Sequence, residues 1–262
     1  MRTELVSEPG DPDRPNEDFA AVGLPASGQG GSLVVLDGVT PPAGGTGCLH
    51  SVPWYTARLG GALTELTVSL PDVPLSDALS RAITRTAGAH AQTCDLSHPR
   101  TPQATVTLAR WTPDTVEYLL LADSALLVES ADGTVTPYLD DRLSLIPRAE
   151  RASDAVVDAR FRNKEGGFYT AAADASVASR AVTGTLPRAG VRSLTALTDG
   201  AARWVEKFGE GDWARCLDVV RKEGAGALVE RVRALEGADR ERRAWLGRGK
   251  THDDATVVYA EL

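Results

Sequence analysis

Four aspartates stand at the ends of apolar runs. Asp37 follows Leu33-Val34-Val35-Leu36, Asp123 follows Tyr118-Leu119-Leu120-Leu121-Ala122, and Asp199 follows Leu194-Thr195-Ala196-Leu197-Thr198. Asp253 comes just before Asp254 and the run Ala255-Thr256-Val257-Val258-Tyr259-Ala260. A strand end is a rigid mount, and central strands of one sheet bring distant sequence positions within a few ångströms of one another. Carboxylates gathered that way repel, and the usual relief is a hard divalent cation, magnesium, manganese or calcium, taken by oxygen ligands. Gly38 adds to the pattern, since glycine lets the chain turn sharply and leaves its carbonyl open to the same ion. Each pair also has a plain reading. Asp-Gly is a common turn dipeptide, and Glu17-Asp18 is ordinarily a solvated surface pair. Asp253-Asp254 is harder to dismiss, because adjacent like charges cost stability unless neutral or positive groups receive them.

The elements that would carry these residues follow from hydrophobic period and turn signals. The first 25 residues read as an acidic, Pro-rich turn region, and Ser32 to Leu36 as a buried strand stopped by Asp37-Gly38. After a Pro/Gly loop from Pro41 to Gly47, Trp54, Ala57, Leu59, Leu63 and Leu66 mark a helix packed on one face. A second helix is expected to be capped by Ser76, with Asp77 in its first turn and Ala78, Leu79, Ala82, Ile83 and Ala87 as its buried stripe. Ala104 to Val135 reads as an antiparallel meander, Leu139 to Gly166 as irregular or helical, and Ser193 to Thr198 as a strand. Ala201 to about Trp245 reads as largely helical, and Ala255 to Ala260 as a last strand. Strands interleaved with paired helices, without strict strand-helix alternation, predict a layered α+β fold, with 1–262 as one domain.

Composition narrows the chemistry. Twenty-eight Lys and Arg against thirty-six Asp and Glu give a net charge of −8, which disfavours nucleic acid as a partner. Cys48, Cys94 and Cys216 lie far apart with no paired spacing among them, which argues against a disulfide scaffold and a zinc finger. With only His50, His90, His98 and His252 beside those thiols, metal chemistry is expected to rest on oxygen ligands. His252 adjoins Asp253 but is more simply a surface or packing residue. Gly44-Gly45-Thr46-Gly47 lacks the lysine of a nucleotide-binding loop and reads as a rim. The basic run from Asp239 to Lys250 reads as a solvated helix face, with recruitment of an acidic partner as the lesser alternative. The chain has no leader-like or membrane-length apolar stretch, so the expectation is a cytoplasmic protein with no membrane partner; oligomeric state is not legible.

Taken in order, Arg14-Pro15-Asn16-Glu17-Asp18, Val35-Leu36-Asp37-Gly38-Val39, Ala122-Asp123-Ser124, Leu197-Thr198-Asp199-Gly200 and Asp253-Asp254-Ala255-Thr256-Val257-Val258 resemble the signature blocks of bacterial type 2C metal-dependent protein phosphatases over nearly the whole chain. The resemblance implies a four-layer α-β-β-α sandwich of two antiparallel sheets flanked by helices, with two Mn2+ or Mg2+ ions in a cleft at the sheet edges. It implies that Asp37 bridges both ions, Gly38 gives its carbonyl to one, and Asp199 and Asp253 complete the other's protein ligands. It further implies that Glu17 and Asp18 hold water around the ions, that Asp123 belongs to a third, weaker site, and that an arginine, here Arg14, binds substrate phosphate. The expected activity is hydrolysis of phosphomonoesters, foremost phosphoserine and phosphothreonine on proteins. The chain departs from the pattern at three points. Arg14 stands three residues before Glu17 rather than four, Ala122 replaces a glycine, and Val39 replaces a histidine of eukaryotic members. A metabolite phosphatase of the same fold, or a catalytically weak binder of a phosphorylated partner, are the competing readings.

Overall fold

The computed structural model describes residues 1–41, 44–151, 153–242 and 251–262. Its strands are β1 (Arg2–Glu8), β2 (Phe19–Gly23), β3 (Gly31–Leu36), β4 (Val106–Trp111), β5 (Thr115–Leu121), β6 (Ala125–Ser130), β7 (Val135–Tyr138), β8 (Val182–Pro187), β9 (Val191–Leu197) and β10 (Ala255–Glu261). The longer helices are α1 (Val52–Ser69) and α2 (Leu75–Gly88) in the first half; α3 (Arg142–Leu145), α4 (Arg148–Arg151) and α5 (Asp154–Arg160) are short. Then come α6 (Asp199–Glu206), α7 (Trp213–Glu223) and α8 (Ala225–Arg242).

The strands form two five-stranded antiparallel sheets, ordered β1-β10-β9-β6-β7 and β2-β3-β4-β5-β8. Three apolar layers hold them. Val34, Leu36, Leu108 and Leu119 of the second sheet pack against Tyr55, Leu59, Leu63, Leu79 and Ile83 of α1 and α2. On the other face, Leu33, Val35, Ala109 and Leu120 meet Leu126, Leu194, Ala196 and Val258 of the first sheet. The outer face of that sheet packs Leu127, Leu197, Val257 and Tyr259 against Trp204, Leu217, Val220, Leu228 and Val232 of α6, α7 and α8. The result is the expected helix-sheet-sheet-helix sandwich. It explains why β3 reads as an unbroken apolar run, since a strand covered on both faces needs no polar side.

Three expectations are corrected. The first 25 residues hold two strands, β1 and β2, rather than a turn region. The 104–135 meander is broken: β4 and β5 pair with each other, but β6 pairs with β9 and β7 in the other sheet, so the chain changes sheet at Ala122–Ser124. Ser76 does not cap α2, which starts at Leu75 behind Pro74 without a side-chain cap. The 139–166 segment contains α3, α4 and α5, in keeping with its mixed pattern. In the basic run, Asp239 is 4% exposed and so is not on a solvated face, while residues 243–250 lie outside the described residues. Among the described residues no helix is long and apolar enough to cross a membrane.

Candidate active site

Strand register carries the acids to one end of the sandwich. Phe19 of β2 faces Leu36 of β3, which sets Asp18 beside Asp37. Ala125 of β6 and Val257 of β10 both face Leu197 of β9, so Asp123, Asp199 and the Asp253-Asp254 doublet leave the other sheet at the same edge. Asp37, Gly38, Asp123, Asp199 and Asp253 line a common cavity of about 340 Å3. Asp199 opens α6, and its amide N–H points at Asp37 Oδ2 from 3.4 Å. Thr105 links two of the blocks: its hydroxyl accepts the Asp37 N–H at 3.1 Å and lies 2.7 Å from Ser124 Oγ.

Glycine is required at two of these turns. A Cβ on Gly38 would lie 2.4 Å from the Glu17 carbonyl oxygen and 2.5 Å from Val52 Cγ1. A Cβ on Gly200 would lie 2.0 Å from the Asp254 carbonyl oxygen, so Asp199-Gly200 begins a helix pressed onto the next strand's backbone. Glu17 accepts a hydrogen bond from the Thr40 hydroxyl.

The electrostatics are those of crowded anions. Burial, followed by the charges of Asp199, Asp18, Asp123 and Asp253, pushes the Asp37 carboxyl well above the carboxylate range. Asp18 is raised to about 7, chiefly by burial, with Asp254 and Asp199 adding to it and the Thr256 and Thr198 hydroxyls opposing it. Asp123 is raised to about 7 by burial and then by Asp199. Asp18 Oδ2 accepts from Thr198 Oγ1 at 3.0 Å and Thr256 Oγ1 at 2.7 Å, whereas its Oδ1 is buried with no hydrogen-bond partner among the described residues. A buried carboxylate oxygen of this kind among acids calls for a proton, a water or a cation to satisfy it.

The Asp253-Asp254 doublet divides its labour. Asp254 accepts the Gly10 N–H at 2.7 Å and the Glu17 N–H at 2.6 Å, clamping the segment that carries Glu17 onto the edge of β10. Asp253 Oδ2 accepts from Arg203 Nη2 at 2.8 Å, and Arg203 Nη1 reaches the fully buried Glu236 at 2.5 Å. His252 turns to Glu236 as well, Nδ1 to Oε2 at 2.8 Å, which is the packing role. Arg14 is exposed and lines an open cleft of about 850 Å3 with Glu17, Thr40, Asp253 and Arg240, beside the cavity holding Asp37 rather than inside it.

Four features were missed from sequence. The Asp254 clamp had a signal in the unusual doublet, and Thr105 had none. Asp140 is buried and accepts the Ala122 N–H at 2.9 Å while pairing with Arg142, with nothing in its sequence neighbourhood to mark it. Arg151 and Arg162, from the uninformative segment, line the cavity of Asp37 and Asp199. Ala122, the alanine in place of glycine, has φ +69, so the turn kept its left-handed shape without the residue that favours it.

The sequence profile of the protein phosphatase 2C family matches residues 11–240. The chain belongs to that family. It is therefore a phosphatase of the metal-dependent serine/threonine type. The matched span ends before Asp253 and Asp254, which the β9-β10 register brings to the same edge as Asp199. Solved structures share the fold of this protein phosphatase 2C chain. Stp1 of Staphylococcus aureus is 12% identical with a TM-score of 0.62, covering 100% of this chain and 95% of its own. PstP of Mycobacterium tuberculosis is 17% identical with a TM-score of 0.62, covering 100% and 98%. The PstP catalytic domain in complex with 2 manganese ions is 17% identical with a TM-score of 0.59, covering 99% and 97%. No curated relative matches the sequence significantly.

Proposed function

We propose that this phosphatase dephosphorylates phosphoserine and phosphothreonine on proteins with two Mn2+ or Mg2+ ions at the Asp37 cavity. The observation that carries the reading is the buried, unpartnered Asp18 Oδ1 within a set of acids whose burial and mutual repulsion hold Asp37, Asp18 and Asp123 far above their ordinary range. The donor set is all oxygen, as hard cations require. Asp37, the Gly38 carbonyl, Asp199 and Asp253 would hold the two ions, Glu17 and Asp18 would orient water around them, and Asp123 would serve a third. The two manganese ions of the PstP catalytic domain agree with that count. When bound, such ions supply an acidified water as nucleophile and stabilise charge on the phosphoryl oxygens.

The chain's own residues do the rest. Thr105 fixes the Asp37 backbone, and Asp254 fixes that of Glu17, so two acids on different segments keep one spacing. Arg203 withdraws one oxygen of Asp253 from the cavity and sets the orientation of the carboxylate. Arg14 at the open cleft is placed to meet phosphate as it arrives, by the bidentate pairing guanidinium offers. Val39 is aliphatic and cannot protonate the leaving group, a role that falls to solvent or to another residue. The open cleft, with Arg14 and Arg240 on its walls, suits an extended phosphorylated chain better than a small enclosed metabolite. Pairing of β1 with β10 weaves both ends of the chain into one sheet, which supports 1–262 as one phosphatase domain.

The test is manganese-dependent hydrolysis of para-nitrophenyl phosphate by the wild type and Asp37→Asn. Activity is expected to need the metal and to vanish in the variant. Undiminished turnover in chelator, or an active Asp37→Asn, would overturn the binuclear centre. Phosphopeptides run against a panel of phosphorylated metabolites decide the substrate class, and preference for a metabolite would overturn the protein-substrate reading.

A further inference from the structure

A second set of metal-ligating side chains lies away from the carboxylates. Cys48 and His50 stand in the loop between Gly38 and α1, while His90 and Cys94 follow the C-terminal end of α2. The fold brings one ligand atom of each within 4.8 Å of all the others. This corrects the expectation that the thiols are scattered and that soft ligands are lacking. The cysteines alone show no paired spacing because the pattern is mixed, Cys-x-His followed much later by His-x3-Cys.

The distances are those of ligands around a shared centre. Cys48 Sγ lies 3.6 Å from His50 Nδ1 and 3.3 Å from His90 Nδ1, and His50 Nδ1 lies 3.3 Å from Cys94 Sγ. A tetrahedral zinc ion, with bonds of about 2.3 Å to sulfur and about 2.0 Å to nitrogen, places its sulfur and nitrogen ligands about 3.6 Å apart. Backbone amides point at both sulfurs: the Leu49 N–H at Cys94 Sγ from 3.3 Å and the His50 N–H at Cys48 Sγ from 3.4 Å. Such donors stabilise thiolate, the form of cysteine that binds metal. His90 is 2% exposed, and the Trp54 ring lies 4.0 Å from that of His50 and 5.3 Å from that of His90, so the cluster is shielded on that side.

We propose that Cys48, His50, His90 and Cys94 form a closed, four-coordinate structural zinc site, separate from the carboxylate centre. Two thiolates and two neutral imidazoles suit Zn2+ and not Mn2+ or Mg2+, and binding releases the two thiol protons. Four protein ligands leave no position for substrate, so the ion is a staple. It fastens the loop that leaves Asp37-Gly38 to the end of α2. His50 also lines a small cavity with Glu17 and Val39, so the staple fixes one wall of a cavity that adjoins the candidate active site.

The full-length chain, reduced and stripped of metal, is titrated with Co2+ as a spectroscopic stand-in for zinc. One equivalent is expected to produce the intense visible bands of tetrahedral cobalt and the near-ultraviolet charge-transfer band of cobalt-thiolate bonds, and Zn2+ is expected to abolish both while Mn2+ does not. Asp37→Asn keeps the bands, and Cys48→Ser/Cys94→Ser loses them. Wild-type protein with three free thiols by thiol titration and no such bands overturns the proposal without reliance on any variant. So does a Cys48–Cys94 disulfide that persists under reductant, or bands unchanged in the double-serine variant.

Discussion

At the scale of single residues, Asp254 is the strongest case of a group that matters without facing the cavity. Its two oxygens take the N–H groups of Gly10 and Glu17, so its loss frees the segment that carries Glu17. Asp254→Ala is expected to lower activity at limiting manganese by about 10- to 100-fold, with much of the loss recovered at excess manganese, because outer partners of a metal site act through affinity. Metal-activation curves measure this, and a loss that excess manganese does not reduce counts against the clamp. Ala122 makes an opposite prediction. Its left-handed backbone, φ +69, is strained for a residue with a Cβ, so Ala122→Gly is expected to gain about 0.5–1 kcal/mol in urea unfolding, the relief of strain less the added freedom of the unfolded chain. A neutral or destabilising result would show that the turn is already relaxed. The acids Asp37, Asp123, Asp199 and Asp253 were legible because each closes or opens an apolar run. Thr105 and Asp140 were not, since their partners are set by tertiary contact and leave no mark on their neighbours in sequence.

At the scale of elements, α6, α8 and the entry to β10 meet at one buried carboxylate. Glu236 is 0% exposed and receives Arg203 at 2.5 Å, Arg233 at 2.8 Å and His252 at 2.8 Å, and Arg203 continues to Asp253. Removing one partner of a buried pair leaves an uncompensated charge, so Glu236→Ala is expected to cost about 3–5 kcal/mol in denaturant unfolding and to weaken manganese activation through Asp253. Arg203→Met/Glu236→Leu, which removes both charges and keeps volume, is expected to recover most of the stability but not the metal affinity. Equal losses in the single and double variants would assign the effect to packing. The elements that sequence pattern missed share one property: β1, β2, β7 and β8 are the outermost strands of the two sheets. An edge strand buries little, and neither β1 nor β8 has a fully buried residue, so neither the period-two alternation nor an apolar run is imposed on them. Central strands β3, β4, β9 and β10 were visible because both faces are covered. The β5-to-β6 turn read as a hairpin because local turn chemistry says where a chain reverses and not which sheet receives it.

At the scale of the whole molecule, part of the charge of −8 is gathered at one edge of the sandwich, where burial and mutual repulsion penalise it. Asp18 and Asp123 are raised to about 7 in the fold against an ordinary 3.8, and Asp37 is likewise raised well above the carboxylate range. A group whose folded value is raised stabilises the fold fully below its unfolded value, and that contribution drains away as pH rises toward the folded value. Metal-free protein is therefore expected to lose the contribution of Asp18 and Asp123 between about pH 4 and about pH 7. On the proposed metal site, manganese is expected to reverse the penalty, since it would bind the ionised cluster of the folded chain and not the unfolded one, and ligand at about 100 times its Kd adds about 2.7 kcal/mol. Cations compete with protons for the same oxygens, so the manganese-induced rise in Tm is expected to be larger at about pH 8 than at about pH 5.5. Asp37→Asn is expected to show a smaller rise at both and, with one repelling charge removed, a higher metal-free Tm than wild type at the upper pH. Thermal unfolding of both proteins with and without manganese decides the matter. A rise that is equal at the two pH values, or greater at the lower one, would mean that the acids do not share their protons with the metal and that the charge of this edge is balanced some other way.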